Sequence, residues 1–395
     1  MQPLAMTAMT VASALGLGTQ PTLEELRARR HRLRPAEGPF GYIGEVDGLA
    51  QHRLPDALRP FDCRNNRLAD MALRSDNFTD KVAAARERYG AGRIAVILGT
   101  STAGIRTGEE AYRRRDPATG ALPKDFDFAN TQDLFALPRF VRAALGLRGP
   151  ALTISTACAS SARSFIDAAH LIRSGLCDAA VVGGADSLCD MTLSGFAALG
   201  LISPTPCRPC DANRAGISIG EAAGFALLER AGAAEDDGQM PVGLLGYGAT
   251  SDGYHMSAPD PQGAGAIGAM RGALAGAGLE PAAVDYVNLH GTGTKANDAM
   301  EDVAALAVFG GDVPVSSTKG WTGHTLGASG IVEAVIGALC IRHGFMPGCL
   351  GVTEPDPAFR ARVLTENVAA PVRRVMSNSF GFGGINCSLL LGALA

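Results

Sequence analysis

The sequence predicts an α/β protein with buried sheets, on three observations. Short aliphatic or β-branched runs alternate with helix-length stretches along all 395 residues. Several of those stretches carry apolar residues three and four apart, as at Phe165, Ala168, Ala169 and Ile172, and again at Val332, Val335, Ile336 and Leu339. A hydrophobic content of 47% against 19% charge provides a large core.

The elements follow in order. "MQPLAMTAMTVASALGLG" (1–18) is apolar like a signal peptide, yet no Lys or Arg precedes its apolar part; it reads as a first strand. "RARRHRLRP" (27–35) reads as a solvated helix end, with a basic docking surface as the alternative. "RIAVILGT" (93–100), "ALTIST" (151–156), "DAAVVGGAD" (178–186) and "GFALLER" (224–230) are strands. Residues 101–135 mix glycine, proline and charge, and are expected to form a long irregular cover. "AGAAEDDGQMP" (231–241) divides the chain into halves 1–235 and 236–395. The pattern then restarts with strands 242–250, 284–290, 313–318 and 385–392 and a helix over 266–278. Two related halves are expected, although no sequence repeat proves them. "GIVEAVIGALCIRHG" carries Glu333 and reads as a core helix; no run is long and apolar enough to span a bilayer.

A net charge of -4 points to neither nucleic acid nor an anionic membrane. Nine scattered cysteines, an odd number without framework spacing, indicate a reduced, cytoplasmic protein. Cys207 and Cys210 have metal-like spacing but no second Cys/His pair, and read as ordinary thiols.

The chemistry centres on "TISTACASS" (153–161), where a β-branched run meets Cys158 and small residues open a helix. A free cysteine is usually an inert small hydrophobe. A thiol at a helix N-terminus instead feels unpaired N–H groups that favour thiolate. This stretch alone leaves both readings open. Three later elements bear on it. "VNLHGTGTKAND" (287–298) delivers His290 from a strand into a glycine turn rich in hydroxyls. "SSTKGWTGHTLGASGIVEAVIG" (316–337) places Lys319 and His324 before a helix holding Glu333. "SNSFGFGGINCSLLLG" (377–392) is a glycine-rich turn able to offer backbone donors.

Taken together and in order, "TACASS", "HGTGT", "GHTLGASG" and "NSFGFGG" form a specific set, and the chain resembles the β-ketoacyl-[acyl-carrier-protein] synthases of the I/II branch over nearly its whole length. The resemblance implies a thiolase-like fold, a five-layered α-β-α-β-α sandwich of two similar halves, normally a homodimer. It implies that Cys158 takes an acyl chain from its carrier as a thioester. Malonyl-carrier protein then loses CO2, and His290 and His324 donate through Nε2 to the enolate oxygen. Backbone N–H groups of Cys158 and Phe382 hold the oxyanion of the condensation step. Lys319 and Glu333 fix His324 and its local field, or simply form an ion pair. Thr292 and Thr294 bond the phosphopantetheine arm, which arrives on the carrier protein; no cofactor or metal is implied. Phe380 and Phe382 match a gate over the cysteine or are two ordinary packed rings, and Asp211 and Arg214 match scaffold positions.

The sequence departs from the pattern at Lys295, where proline is common, and at Cys210, where an aromatic is usual. Gly108 stands where some members carry a bulky acyl-pocket residue, which predicts a more open pocket. Trp321, between Lys319 and His324, is expected near the channel, where its flat ring suits a conjugated chain. "FDCRNNRLA", "GLCDAAVVGGADSLC" and "ATSDGYHMSAPDPQG" look more like ketosynthases of bacterial aryl-polyene pathways, some of which pair with a chain-length-factor subunit. An acidic carrier protein requires a basic patch, for which Arg64, Arg67, Lys124 and Arg113 to Arg115 are the candidates. A thiolase is the first rival; it needs a second cysteine in a Cys-x-Gly setting, which Cys387 does not provide. A non-catalytic acyl-binding subunit is the second, and it predicts loss of the nucleophile that this chain retains.

Overall fold

The computed structural model describes residues 1–232 and 238–394, so the predicted boundary between the halves at 235/236 lies outside the described residues. Ten strands build the body of a twelve-stranded main sheet: β1 (Leu4–Ser13), β2 (Ile94–Gly99), β3 (Ala151–Ile154), β4 (Ala179–Asp186) and β5 (Ala222–Arg230), then β6 (Val242–Ser251), β7 (Tyr286–Asn288), β8 (Pro314–Ser316), β9 (Arg374–Gly381) and β10 (Ile385–Ala393). The first five lie in the order β3-β2-β4-β5-β1, and the last five in the order β8-β7-β9-β10-β6. Each set therefore has the same topology, 3-2-4-5-1. The pairing types also match: β1 is antiparallel to β5, β5 to β4, and β4-β2-β3 are parallel, while β6, β10, β9, β7 and β8 repeat that series. The expected pair of related halves is thus present in the strand order. The halves join where Leu4 and Ala5 pair with Leu244 and Gly243, so one sheet runs through both.

Helices complete the layers. The outside of the first half is covered by α2 (Arg64–Leu73), α3 (Phe78–Tyr89) and α5 (Ala136–Leu145), whereas α1 (Thr19–Ala28) packs Leu23 and Leu26 into the core between the half-sheets and α4 (Ile105–Arg113) follows β2. Between the two half-sheets run α6 (Ser160–Arg173) and, later in the chain, α10 (Ser329–His343). The others are α7 (Asp190–Ala198), α8 (Ala264–Ala277) and α9 (Lys295–Phe309). The predicted stripe of α6 is buried, and α10 is buried on every face from Ser329 to Ile341, as a helix covered on both sides must be. Small residues let these two approach. A Cβ on Gly330 would stand 2.5 Å from the Ala162 nitrogen, and one on Gly99 would stand 2.3 Å from the Ser161 nitrogen.

Two expectations change here. Residues 101–135 are not irregular throughout, since Ile105–Arg113 is α4 and Phe128–Thr131 a further helical turn. With the turn that precedes α10, Leu326–His343 is long and apolar enough to cross a membrane by length and composition. It is nevertheless buried inside the protein along 89% of its length, so it is a core helix. The basic run behaves in two ways: Arg30 and Arg32 turn back to Glu25 at the solvated end of α1, whereas Arg29 reaches Glu366 and lies 6.0 Å from the Trp321 ring.

Candidate active site

The repeated topology sets the site. Cys158 follows β3 and leads into α6; Lys319 and His324 follow β8 and lead into α10, the matching corner of the second half. Because α6 and α10 pack together, their N-terminal ends bring the two corners into contact. His290 comes from the end of β7, beside β8. The reactive atoms of Cys158, His290 and His324 all lie within 4.8 Å of one another, although they are far apart in sequence. The corners are strained: Ala157 has φ 48° and Leu326 φ 52°, conformations that non-glycine residues seldom adopt.

Hydrogen bonds define both imidazoles. His324 Nδ1 receives the Leu326 N–H and faces Ser329 Oγ, each at 3.1 Å, so Nε2 carries the proton. That Nε2 lies 3.1 Å from Cys158 Sγ. His290 Nδ1 faces the Lys319 ammonium at 3.3 Å and must accept, which leaves its Nε2 protonated too. Burial, reinforced by the positive charge of Lys319, holds both histidines well below their ordinary pKa, so they are neutral donors near neutral pH. Both side chains are therefore set up to stabilise negative charge on a shared oxygen.

Lys319 forms the expected ion pair with Glu333, and its charge supplies the expected local field at His324. Its hydrogen bonds, however, go to His290 Nδ1 and the His290 carbonyl, so the imidazole it orients directly is His290. Burial pushes Glu333 up to about 7 against the pull of Lys319. Cys158 also differs from the helix-end expectation. Burial pushes its thiol up to about 11, although Lys319 and the backbone N–H groups of Phe382 and Cys158 pull it down. The helix begins only at Ser160, and its end does not offset desolvation. The resting sulfur is therefore a thiol. Its alkylation by iodoacetamide should accelerate about tenfold per pH unit between pH 7 and 10. Lys319→Met should slow it several-fold at fixed pH, with Glu333 taking a proton in compensation; unchanged rates would refute the electrostatic role of Lys319.

A cavity of about 370 Å³ opens onto Cys158, His290 and His324 and is lined by Thr292, Thr294 and Phe380 among others. A second, apolar cavity of about 310 Å³ lies on the other side of Phe382, lined by Cys158, Met191, Gly195 and Leu199. Phe382 borders both and packs on Phe196 at 5.7 Å. Gly381 lets this segment approach closely, since a Cβ there would stand 3.2 Å from the Cys158 nitrogen.

Other candidates fall outside this group. Trp321 is fully buried and lines neither cavity, so it does not touch a chain in the channel. The space beside Gly108 is not open, because a Cβ there would stand 2.0 Å from Gln132 Oε1. Arg64 makes a two-pronged ion pair with fully buried Glu221, and Arg67 one with Asp62, which ties both to the scaffold rather than leaving them for a partner. Arg113 pairs with Asp190 and Arg114 with Asp125, while Lys124 and Arg115 are exposed. Asp211 accepts the N–H groups of Asn213, Thr353 and Glu354, and Arg214 meets Asp356, both scaffold contacts as expected. Cys207 Sγ bonds the Lys319 carbonyl and Cys210 sits at φ 67°, both buried.

Sequence reasoning missed Glu301. Fully buried in α9, it accepts the backbone N–H groups of His290 and Gly291 at 2.7 and 2.8 Å and fixes the turn that carries His290. Its signal was an acidic residue one turn beyond Asn297 and Asp298, on a helix capped by Thr294.

A buried thiol and two neutral imidazoles between two half-sheets of one topology define a condensing-enzyme class of site. Comparison with known proteins agrees. The N-terminal domain model of beta-ketoacyl synthases matches residues 1–234 and the C-terminal domain model matches residues 243–353. Nodulation protein E of Rhizobium sp. (strain N33) is 33% identical over 400 residues, covering 96% of each chain. The mitochondrial 3-oxoacyl-[acyl-carrier-protein] synthase of Arabidopsis thaliana is 42% identical over 265 residues, spanning 63% of this chain and 58% of that protein. Among solved structures, the ketosynthase ApeO of Xenorhabdus doucetiae, in complex with its chain length factor ApeC, superposes with TM-score 0.90 at 40% identity, covering 100% of this chain and 98% of that one. The chain belongs to the beta-ketoacyl synthase family and is a condensing acyltransferase with the thiolase-like fold.

Proposed function

We propose that this chain extends an acyl group by two carbons through decarboxylative condensation with malonyl-carrier protein, with Cys158 as nucleophile and His290 and His324 as the donors. The observation that carries the reading is the meeting of one sulfur and a ring nitrogen from each of two imidazoles within a single 4.8 Å cluster. Cys158 attacks the acyl thioester and its proton passes to the departing pantetheine sulfur, so no external base is consumed. The acyl chain lies in the apolar cavity beyond Phe382. The malonyl arm occupies the larger cavity, where the Thr292 and Thr294 hydroxyls, 2.9 Å apart, meet its amides. Loss of CO2 leaves an enolate whose oxygen accepts from both imidazoles. The enolate carbon attacks the Cys158 thioester, the N–H groups of Cys158 and Phe382 hold the resulting oxyanion, and the released thiolate takes up a proton. Phosphopantetheine is substrate, carried in by its protein, and the reaction asks for no resident cofactor.

The pathway reading is that of aryl-polyene ketosynthases, with a chain-length-factor homologue as partner, supported by the likeness to ApeO. Nine free cysteines, all buried, fit a reducing compartment. Incubation with a panel of acyl-carrier proteins, followed by mass spectrometry, tests it. An unsaturated or aryl-conjugated acyl group should accumulate on Cys158, more so with the partner subunit present. Exclusive acylation by saturated chains would refute the pathway, and acylation elsewhere would refute the nucleophile.

A further inference from the structure

We propose that Asp186 is a positioning residue that couples the two halves of the active site, one buried carboxylate holding both the turn after His324 and the loop beside the apolar cavity. It lies at the end of β4 and is fully buried. Six donors converge on it. The Thr100 and Thr102 hydroxyls bond Oδ1 at 2.7 and 2.9 Å, and the Ser101 hydroxyl bonds Oδ2. The backbone N–H groups of Ser101 and Thr102 follow at 2.8 and 2.9 Å. The sixth is the Gly327 N–H at 2.6 Å, from the other half of the molecule.

Each side of this contact bears on the chemistry. Gly327 immediately follows Leu326, whose N–H fixes the tautomer of His324. Ser101 lines the apolar cavity together with Cys158. The fit leaves no slack, because a Cβ on Gly327 would stand 2.7 Å from Asp186 Oδ2 and 3.1 Å from the Ser101 nitrogen. Among the described residues no ion pair neutralises the carboxylate, and its negative charge acts on Cys158 in opposition to Lys319. Around that thiol the titratable side chains are His290, His324, Lys319 and Asp186. A charged group satisfied wholly by oriented donors is an expensive arrangement that a neutral side chain of similar shape does not reproduce.

The inference rests on the proposed function, and Asp186→Asn separates the two. The substitution keeps the size but turns an NH2 group toward donors. Malonyl-carrier decarboxylation should fall about 10- to 100-fold as His324 loses its fixed donor. Cys158 alkylation should at the same time become faster at fixed pH, its profile displaced toward lower pH. Loosening of the site would also expose the thiol and speed its alkylation, so the Asp186→Asn result supports the role only if the thermal midpoint stays within a few degrees of wild type; where it falls further, Thr102→Val decides. Wild-type decarboxylation with an unmoved alkylation profile overturns the role of Asp186, whereas absence of decarboxylation in the wild-type protein overturns the functional reading instead. Should Asp186→Asn not fold, Thr102→Val removes one donor and spares the charge. A several-fold loss of decarboxylation then supports the proposal, and full activity overturns it.

Discussion

Cys158→Ala is expected to eliminate condensation, lowering it by about 10⁴-fold or more, while malonyl-carrier decarboxylation proceeds within a few-fold of wild type. The asymmetry follows from geometry. The tautomer of His290 is held by Lys319, and that of His324 by Leu326 and Ser329; neither set of contacts involves the sulfur. The enolate-stabilising pair thus survives the substitution, and only the thioester that the enolate would attack is missing. Carbon dioxide release and product mass spectrometry report the two steps separately. Formation of an acyl-enzyme or of β-keto product by Cys158→Ala would disprove the assignment of the nucleophile.

His290→Ala is expected to show the opposite division. Removing one donor from a developing oxyanion typically costs about 10²–10³-fold, and decarboxylation and condensation should fall together by that amount. Acylation of Cys158 should persist, because the thiol's hydrogen-bonding partner is His324. The pH dependence supplies a second check on the donors. Both imidazoles are held below their ordinary pKa, so they protonate only at lower pH than a free histidine. Wild-type decarboxylation should therefore stay level from about pH 8 down through the usual histidine range near 6.5, and decline only on the acid side of it. A rate that halves at the ordinary histidine pKa would contradict a neutral pair.

Most of the main strands were legible within a few residues, because each is a short aliphatic run bounded by glycine or polar turns; β9 was not, since its run of Ser377, Asn378 and Ser379 ahead of the glycines reads as a turn although the sheet buries it. The corners of the site were legible for a related reason: "TACASS" and "GHTLGASG" end a strand and open a helix with small residues, and close helix packing demands small residues there. Residues 101–135 were misread because α4 is short and mainly polar, and its buried face consists of Gly108 and Ala111, small residues that signal a core face weakly.

From the sequence alone came the α/β class, the identity of the sulfur, the two imidazoles, and the lysine and glutamate beside them, and an expectation of related halves that the strand order then established. Only the tertiary structure decided which groups those side chains serve. Lys319 took its hydrogen bonds to His290 while its charge reached His324, Arg64 and Arg67 closed onto Glu221 and Asp62, Gln132 filled the space beside Gly108, and Trp321 sank into the core. The thiol pKa belongs with these, since desolvation outweighs the helix end at Cys158. The physical reason is shared. Strand and helix signals are written in neighbouring residues, whereas pairing and burial depend on chain segments far apart in sequence, as Arg64 and Glu221 are, that meet only when the sheet assembles.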